Sequence, residues 1–272
     1  MLISTVLTLR PTRDAIVPAN LGRAAYAVFL SMVRDADAAL AARLHEPDQV
    51  KLFTVSSLQG LFRVEGGQAL LSSARDYWLR FTSFDPTLSE LLASQMIPPE
   101  PAEMSLNGLS YQIRGVAADR ELHAWAGKTS CEELIRGNLL GDHPPPTKIT
   151  LHFLSPTTFR SGGKNVVWPT PDLVFGSLLN SWNAVSNVSL PPEGRRFASE
   201  SMAVSHFDLR SRAVSFGRYQ SIGCVGTCTY VFLDQDEYWM RAMNMLADFA
   251  LYAGVGYKTT VGMGQTRRRQ AQ

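Results

Sequence analysis

The segment GDHPPPTKITLHFLS, residues 141 to 155, separates two stretches of chain whose predicted strands and helices follow the same order. Its three consecutive prolines, Pro144 to Pro146, forbid a helix and cannot lie in a central strand. Directly after them, apolar and polar residues alternate as they do in a strand with one buried face. We therefore predict a domain boundary here, between a first domain of residues 1–142 and a second domain of residues 147–272.

The second stretch begins with the strand KITLHFLS and continues into a helix opened by Pro171 and Asp172. Strands are predicted around MAVSHFDL and TCTYVFL, followed by a helix from Asp236 to Ala253 with Gly254 as a left-handed cap. A last strand is expected near the glycine-rich carboxyl end. The predicted order is therefore βαββαβ.

The first stretch has the same order. It starts with the strand STVLTLRP and a long helix from about Leu21 to Leu44, in which apolar residues return at helical spacing. The strands KLFTVSSL and YWLRFTSF, the helix PTLSELLASQ and the strand LSYQIRGVA follow. Two successive βαββαβ units predict an α+β protein of two tandem ferredoxin-like (RRM-like) domains, a fold that hosts many functions.

The composition limits where the protein works and which cysteine chemistry it can use. The amino terminus has no basic segment leading into an apolar one, and no apolar run reaches the roughly 18 to 20 residues of a membrane span, so we expect a cytoplasmic protein without a membrane partner. The three cysteines, Cys131, Cys224 and Cys228, predict no disulfide framework. The CVGTC spacing is a weak metal signal, and buried small residues on a strand are the favoured interpretation.

Charge is distributed unevenly along the chain. The net charge is only +2, but residues 1–146 carry 13 Lys and Arg against 16 Asp and Glu, whereas residues 147–272 carry 13 against 8. If one half binds a polyanion, the second half is the candidate, and it ends in the run Arg267 to Arg269. A solvated basic face is the alternative.

The segment AGVGYKTTVGMGQTRRR, residues 253 to 269, has the composition of a phosphate-binding loop. Glycines expose backbone N–H groups and allow close approach, and the intervening residues add charge and hydroxyl donors. The segment fits neither a P-loop nor a dinucleotide fingerprint, because it follows a helix near the end of the chain. The predicted RNA-binding residues are Gly254, Gly256, Lys258, Thr259, Thr260, Gly262, Gly264, Arg267 and Arg268.

This loop, G-x-G-x-K-[TS]-x-x-G-x-G after a carboxyl-terminal helix, resembles that of the CRISPR-associated repeat-processing endoribonucleases, the Cas6 family of RAMP proteins. Residues 149–183, with SPT-x-F and then LVF-x-SLL-x-x-WN, are similar to the opening of that family's second domain. LHEPDQVKLFTVSSLQG at residues 44–60 and WAGKTSCEELI at residues 125–135 are similar to segments of its first domain.

The resemblance implies two tandem ferredoxin-like domains and cleavage of CRISPR repeat RNA without a metal or nucleotide cofactor. In the implied reaction the ribose 2′-OH attacks phosphorus, which leaves a 2′,3′-cyclic phosphate and a 5′-OH. Such chemistry needs a base, an acid and a cation near the non-bridging oxygens. Other Cas proteins of an interference complex and a second copy of the chain are further possible partners.

The resemblance also indicates the catalytic residues. His45 matches the family's histidine and is the expected base or acid, while Lys51 matches a lysine that would stabilise charge. Tyr26 is the third candidate, although a core tyrosine is the favoured interpretation of that position. His123, His143, His152 and His206 have no motif support.

Three other functions compete with cleavage of repeat RNA. A non-catalytic subunit that holds the repeat RNA stays open as an alternative. A two-histidine phosphoesterase requires two H-x-[ST] motifs, whereas the triplets here are HEP, HAW, HPP, HFL and HFD, so that class is excluded. A metal-dependent nuclease is disfavoured because the sequence contains no clustered carboxylate and histidine motif.

Overall fold

The computed structural model describes residues 1–45, 50–94, 102–217 and 219–269. The chain forms two compact units. The first comprises Met1–Lys128, Ser215–Gln220 and Thr260–Gly262, and the second comprises Thr129–Val214, Ser221–Thr259 and Met263–Gln272. The glycine-rich segment therefore contributes residues to both units.

The elements of the first unit follow the predicted order with additional short strands. They are β1 (Leu2–Pro11), β2 (Ala15–Pro18), α1 (Gly22–Ala36), α2 (Ala38–His45), β3 (Phe53–Val55), β4 (Arg63–Glu65), β5 (Gln68–Leu71), β6 (Tyr77–Ser83), α3 (Pro86–Ser94), β7 (Ala102–Leu106), β8 (Leu109–Ala117) and β9 (Gly127–Thr129).

The main sheet of this unit has the strand order β3-β6-β1-β8-β7, with β9 also paired to β1. Its central strands β3, β6, β1 and β8 give the ferredoxin-like arrangement, because α1 and α2 connect β1 to β3 and α3 connects β6 to the β7–β8 hairpin. The core is aromatic where α1 meets the sheet. The ring of Phe29 lies 5.0 Å from that of Phe53 and 5.2 Å from that of Phe81.

The prediction of one helix from Leu21 to Leu44 is wrong at its centre. α1 ends at Ala36, and Asp37 is extended, with φ −152° and ψ 100°. The carboxylate of Asp37 accepts hydrogen bonds from the N–H groups of Ala39 and Leu40, at 3.0 and 2.9 Å. Aspartate is a favoured N-cap, so this residue ends one helix and begins the next while the apolar periodicity continues on both sides.

The second unit contains α4 (Cys131–Asn138), β10 (Lys148–Thr157), β11 (Phe159–Ser161), β12 (Lys164–Val166), α5 (Pro171–Asn183), α6 (Glu193–Ser201), β13 (Met202–Ser215), β14 (Gln220–Phe232), α7 (Glu237–Ala253) and β15 (Thr266–Arg269). Its main sheet has the order β13-β14-β10-β15. This is again the ferredoxin-like arrangement, which confirms the predicted fold class.

The helices of the second unit begin and end close to where the sequence predicts. Pro171 is the first residue of α5, and the Asp236 side chain accepts a hydrogen bond from the N–H of Trp239 at the start of α7. Gly254 caps α7 with the expected positive φ of 63°, although its ψ of −176° is extended rather than helical. Trp182 of α5 and Phe249 of α7 meet edge to face at 5.3 Å in the core.

The compact units do not divide at the prolines. Helix α4, which the predicted boundary assigns to the first domain, belongs to the second unit. Arg241 of α7 donates hydrogen bonds to the carbonyl oxygens of Asn138 and His143, both at 3.0 Å. These bonds attach the end of α4 and the chain before the prolines to α7. The division of function between residues 1–142 and 147–272 stays a prediction.

Candidate functional site

The two principal catalytic candidates lie near the end of α2. His45 is the last residue of that helix, and its side chain lies outside the described residues. Lys51 is half-buried, and its Nζ donates a hydrogen bond of 2.8 Å to the carbonyl oxygen of Leu44. A cation at the carboxyl end of a helix is favourable because the last carbonyl groups lack helical partners. The structure thus holds the Lys51 ammonium beside the residue that precedes His45.

Tyr26 lies on α1 and packs into the first unit. Its ring is parallel to that of Phe53, with centroids 6.2 Å apart, and it belongs to the half-buried residues around the core. Burial raises the pKa of Tyr26 above its usual value. The phenol is therefore neutral near pH 7, so it can donate a hydrogen bond but is a poor base. This packing agrees with the favoured interpretation as a core tyrosine, and a catalytic role for Tyr26 stays a prediction.

Residues Thr260–Gly262 of the glycine-rich segment lie beside α1 and β3 in the first unit. The N–H of Gly262 donates a hydrogen bond of 2.9 Å to the carbonyl oxygen of Val55, in a short parallel bridge. A Cβ atom at Gly22 would collide with the carbonyl of Val261, so only glycine allows this approach at the start of α1. The structure thereby brings Gly262 to the corner that α1 and β3 form.

Two polar residues that the sequence analysis did not select fix this corner. The Asn20 side chain accepts a hydrogen bond from the N–H of Gly22 at 3.1 Å, and Ser57 Oγ accepts one from the N–H of Leu21 at 2.9 Å. Asn20 precedes the N-cap Leu21, and an asparagine that bonds the N–H two residues on is a local turn signal by which the sequence could have identified it. The Ser57 contact joins residues far apart in sequence, so no local pattern could reveal it.

The four predicted glycines use their N–H groups within the protein, which corrects the reason given for selecting them. The N–H of Gly254 donates to Ala250, that of Gly256 to Ser177 Oγ and that of Gly264 to Pro156, at 3.0 to 3.1 Å. Gly262 donates to Val55 as described above. These four donors are already bonded within the chain, so we expect contacts with phosphate from other groups.

The backbone conformation of these four positions explains the choice of glycine instead, and Gly256 and Gly264 also pack closely against backbone of the second unit. All four have positive φ, between 63° and 97°. A Cβ atom at Gly256 would collide with the carbonyl of Thr158, and one at Gly264 would collide with the carbonyl of Val255. Other residue types would bring both backbone strain and overlap.

Lys258 lies in the middle of the glycine-rich segment and adopts a positive φ of 62°. Its Nζ lies 5.3 Å from the centre of the Tyr257 ring, and its side chain is half-buried. Thr259 and Thr260 follow in a single 3-10 turn and are also half-buried. These three side chains remain the candidate phosphate contacts within the segment.

The terminal arginines of β15 differ in what they contact. Arg268 Nη1 lies 3.3 Å from Asp248 Oδ1, and Arg268 Nη2 donates a hydrogen bond of 2.5 Å to Asn244 Oδ1, both on α7. Its guanidinium is thus engaged with the helix, which does not favour the predicted RNA contact. Arg267 lies opposite His152 of β10 in the sheet.

The surroundings of His152 lower its pKa, although no sequence motif supports a role for this residue. Burial lowers its pKa, and the positive charges of Arg267 and Arg269 lower it further. A histidine with a depressed pKa is neutral near pH 7. His123 also has a structural contact, since its Nδ1 accepts a hydrogen bond of 3.1 Å from the N–H of Trp125.

The cysteines are free, and Cys224 and Cys228 are buried on β14, as predicted. Burial raises the pKa of the Cys224 thiol to about 12. Among the described residues no group of three or more His, Cys, Asp or Glu side chains has the arrangement of a metal site. In the same part of the chain, no helix is long and apolar enough to cross a bilayer.

Comparison with known families covers both units. The family described as "CRISPR-associated endoribonuclease Cas6" matches residues 151–266, and the family described as "CRISPR Cas6 N-terminal domain" matches residues 1–134. The chain belongs to the Cas6 family. A curated relative, the CRISPR-associated endoribonuclease Cas6 of Mycobacterium tuberculosis, is 31% identical over 126 residues, which is 46% of this chain and 40% of the length of that relative.

Solved Cas6 structures match nearly the whole chain. A structure described as a Cas6 product complex is 29% identical with a TM-score of 0.77, over 99% of this chain and 100% of the other. Thermus thermophilus Cas6 is 28% identical with a TM-score of 0.72, over 99% of this chain and 98% of the other. The similarity of this Cas6 chain to them therefore extends over both ferredoxin-like units.

Proposed function

We propose that this protein cleaves CRISPR repeat RNA and so produces guide RNA from a longer precursor. The observation that carries the proposal is that the Cas6 family matches extend over both units, residues 1–134 and 151–266. The relative from M. tuberculosis is named an endoribonuclease, and one similar structure is described as a product complex. RNA is accordingly the proposed substrate and partner.

The proposed reaction is a transesterification that needs no metal ion. A base takes the proton of the ribose 2′-OH, the 2′ oxygen bonds to phosphorus, and the bond from phosphorus to the 5′ oxygen breaks. An acid gives a proton to that 5′ oxygen, so the products are a 2′,3′-cyclic phosphate and a 5′-OH. Positioned proton transfer and a nearby cation together lower the barrier of such a step.

His45 and Lys51 are the proposed catalytic pair. Imidazole can act as base or acid near neutral pH, and His45 ends α2 directly after the carbonyl that holds Lys51. The Lys51 ammonium is the cation proposed to stabilise negative charge on the non-bridging oxygens. Tyr26, whose phenol is neutral near pH 7 and whose pKa burial raises further, is the proposed reserve donor on the neighbouring helix.

Cleavage in the presence of EDTA tests the metal-free reaction. We expect the purified protein to cut its repeat RNA at the same rate with and without EDTA and to leave a cyclic phosphate. A substrate with a 2′-deoxy sugar just 5′ of the cut should bind but stay intact. Activity that EDTA abolishes and magnesium restores, or cleavage of the deoxy substrate, contradicts the proposal.

The alternative is a subunit that holds repeat RNA without cutting it. Binding of the repeat without any cleavage under these conditions supports this alternative. We further propose, for either function, that the protein associates with other Cas proteins and forms a homodimer. Size-exclusion chromatography with and without RNA tests the homodimer.

A further inference from the structure

A short β-hairpin of the second unit lies beside the middle of the glycine-rich segment. Strand β11 pairs with β12 so that Arg160 lies opposite Asn165. Gly162 and Gly163 form the two-residue turn between them, with φ of 56° and 74°. Positive φ at both central residues is typical of the tight hairpin turn. The N–H of Tyr257 donates a hydrogen bond of 2.8 Å to the carbonyl of Thr158, directly before β11.

The Tyr257 ring lies near two cations. The guanidinium carbon of Arg160 lies 5.5 Å from the ring centre, and Lys258 Nζ lies 5.3 Å from it. Tyr257 is nevertheless 41% exposed. By contrast, Tyr230 of the same unit is fully buried and its hydroxyl donates to the carbonyl of Pro169 at 2.9 Å, as a structural tyrosine does.

The hairpin is exposed and positively charged. Arg160, Ser161, Lys164 and Asn165 are all exposed to solvent, and residues 156–170 contain no acidic residue. No described atom lies within 4 Å of a Cβ built at Gly162 or Gly163, so these glycines shape the turn without packing against anything in the described structure. The exposed ring thus lies near two cations that attract phosphate.

We propose that Tyr257, flanked by Arg160 and Lys258, is a stacking site for one unpaired nucleotide of the bound RNA. Aromatic rings and guanidinium planes stack on unpaired bases, and adjacent cations pair with the phosphates on either side. The two cation–π contacts keep the ring in place before RNA arrives, which lowers the cost of ordering it. The stacking site depends on one part of the proposed function, namely that the protein binds repeat RNA.

The test compares variants of Tyr257 in binding to repeat RNA that carries the 2′-deoxy sugar at the cut and therefore cannot be cleaved. We expect Tyr257→Ala and Tyr257→Leu to weaken binding by roughly 5- to 150-fold, the measured worth of one stacked base. Tyr257→Phe, which keeps the ring, should bind within about 2- to 3-fold of wild type. The Leu variant preserves apolar volume, and thermal melting of each variant checks that it folds.

A scan of abasic RNAs identifies the nucleotide. One abasic position should weaken binding to wild type but cost nothing further in Tyr257→Ala, because the base and the ring then act as one pair. Equal affinity of wild type and Tyr257→Ala overturns the proposal. An equal loss in Tyr257→Phe also overturns it, because the hydroxyl rather than the ring would then bind. Cleavage of native repeat RNA, measured in parallel, shows separately whether the proposed function fails.

Discussion

The two units have the same strand order but present different chemistry. In the first, Gly262 bonds to Val55 of β3, Tyr26 of α1 stacks on Phe53 of β3, and Lys51 bonds to the end of α2. In the second, the exposed Arg160 and the half-buried Lys258 both lie near the exposed ring of Tyr257. A shared topology therefore does not give a shared role, because side chains rather than strand order determine what a surface can do.

This difference suggests a division of labour. The residues proposed for proton transfer, His45 and Tyr26, belong to the first unit, and the proposed base-stacking residue Tyr257 and its two cations belong to the second. Changes in the first unit should then lower the cleavage rate of bound RNA, whereas changes in the second should lower affinity or stability.

The largest effect is expected for His45→Ala. Loss of a positioned proton-transfer group lowers a rate by roughly 10²- to 10⁴-fold. We expect this loss in single-turnover cleavage at saturating protein, with RNA affinity within about 2-fold of wild type. His206→Ala is the matched control, since His206 is exposed on β13 and has no motif support. Wild-type cleavage by His45→Ala would transfer the role to another group, with Tyr26 next.

The second prediction concerns the close packing of Gly256. Gly256→Ala should destabilise the protein by at least about 1 to 3 kcal/mol, because alanine adds a strained positive φ and a collision with the carbonyl of Thr158. Gly162→Ala is the control, since its φ of 56° is also positive but its Cβ meets no described atom. The free energy of unfolding of both variants, measured with denaturant, separates the cost of the Cβ collision from the cost of the strained backbone. Equal losses in the two would show that packing at Gly256 is unimportant.

The third prediction separates two neighbouring arginines. Arg268→Ala should lower the free energy of unfolding by about 1 to 2 kcal/mol, because it removes charge-assisted hydrogen bonds to Asp248 and Asn244. Arg269→Ala, at an exposed position, should leave stability nearly unchanged. Unfolding and RNA binding are measured for both. If Arg268→Ala weakens RNA binding without loss of stability, the predicted RNA contact of Arg268 is supported.

The smallest effect is expected for Lys258→Ala. Loss of one phosphate contact should reduce the slope of log affinity against log salt by about 0.7 for a single-stranded site, because fewer counterions are released. Bound RNA should still be cut at a near-normal rate. A salt titration paired with saturating single-turnover cleavage gives both numbers. Lys258→Ala that binds normally but does not cut would place the segment in the catalytic machinery.

Much of the fold could be predicted because its signals are local. Alternating strands, the proline at the start of α5 and the aspartate before α7 each act over a few residues, and the two βαββαβ orders follow from them. The break at Asp37 was missed because apolar residues keep helical spacing on both sides of it. A single capping side chain outweighs that periodicity.

The candidate site was predictable only in part. The sequence motif identified the glycine-rich segment, but not that its four glycine N–H groups bond to other parts of the chain. It identified Lys258 but not Arg160, which is far away in sequence and meets the same ring. Each of these facts depends on contacts between distant segments.

By itself, the sequence determined the order of the elements, the family and the residues proposed for proton transfer, since these depend on residue type and short spacing. Only the tertiary structure decided how those residues are used. Strand pairing directed Arg268 towards α7, close backbone contact made glycine necessary at Gly256, and hairpin β11–β12 brought a second cation to Tyr257. Such outcomes depend on which distant segments pack together, and no local pattern encodes that packing.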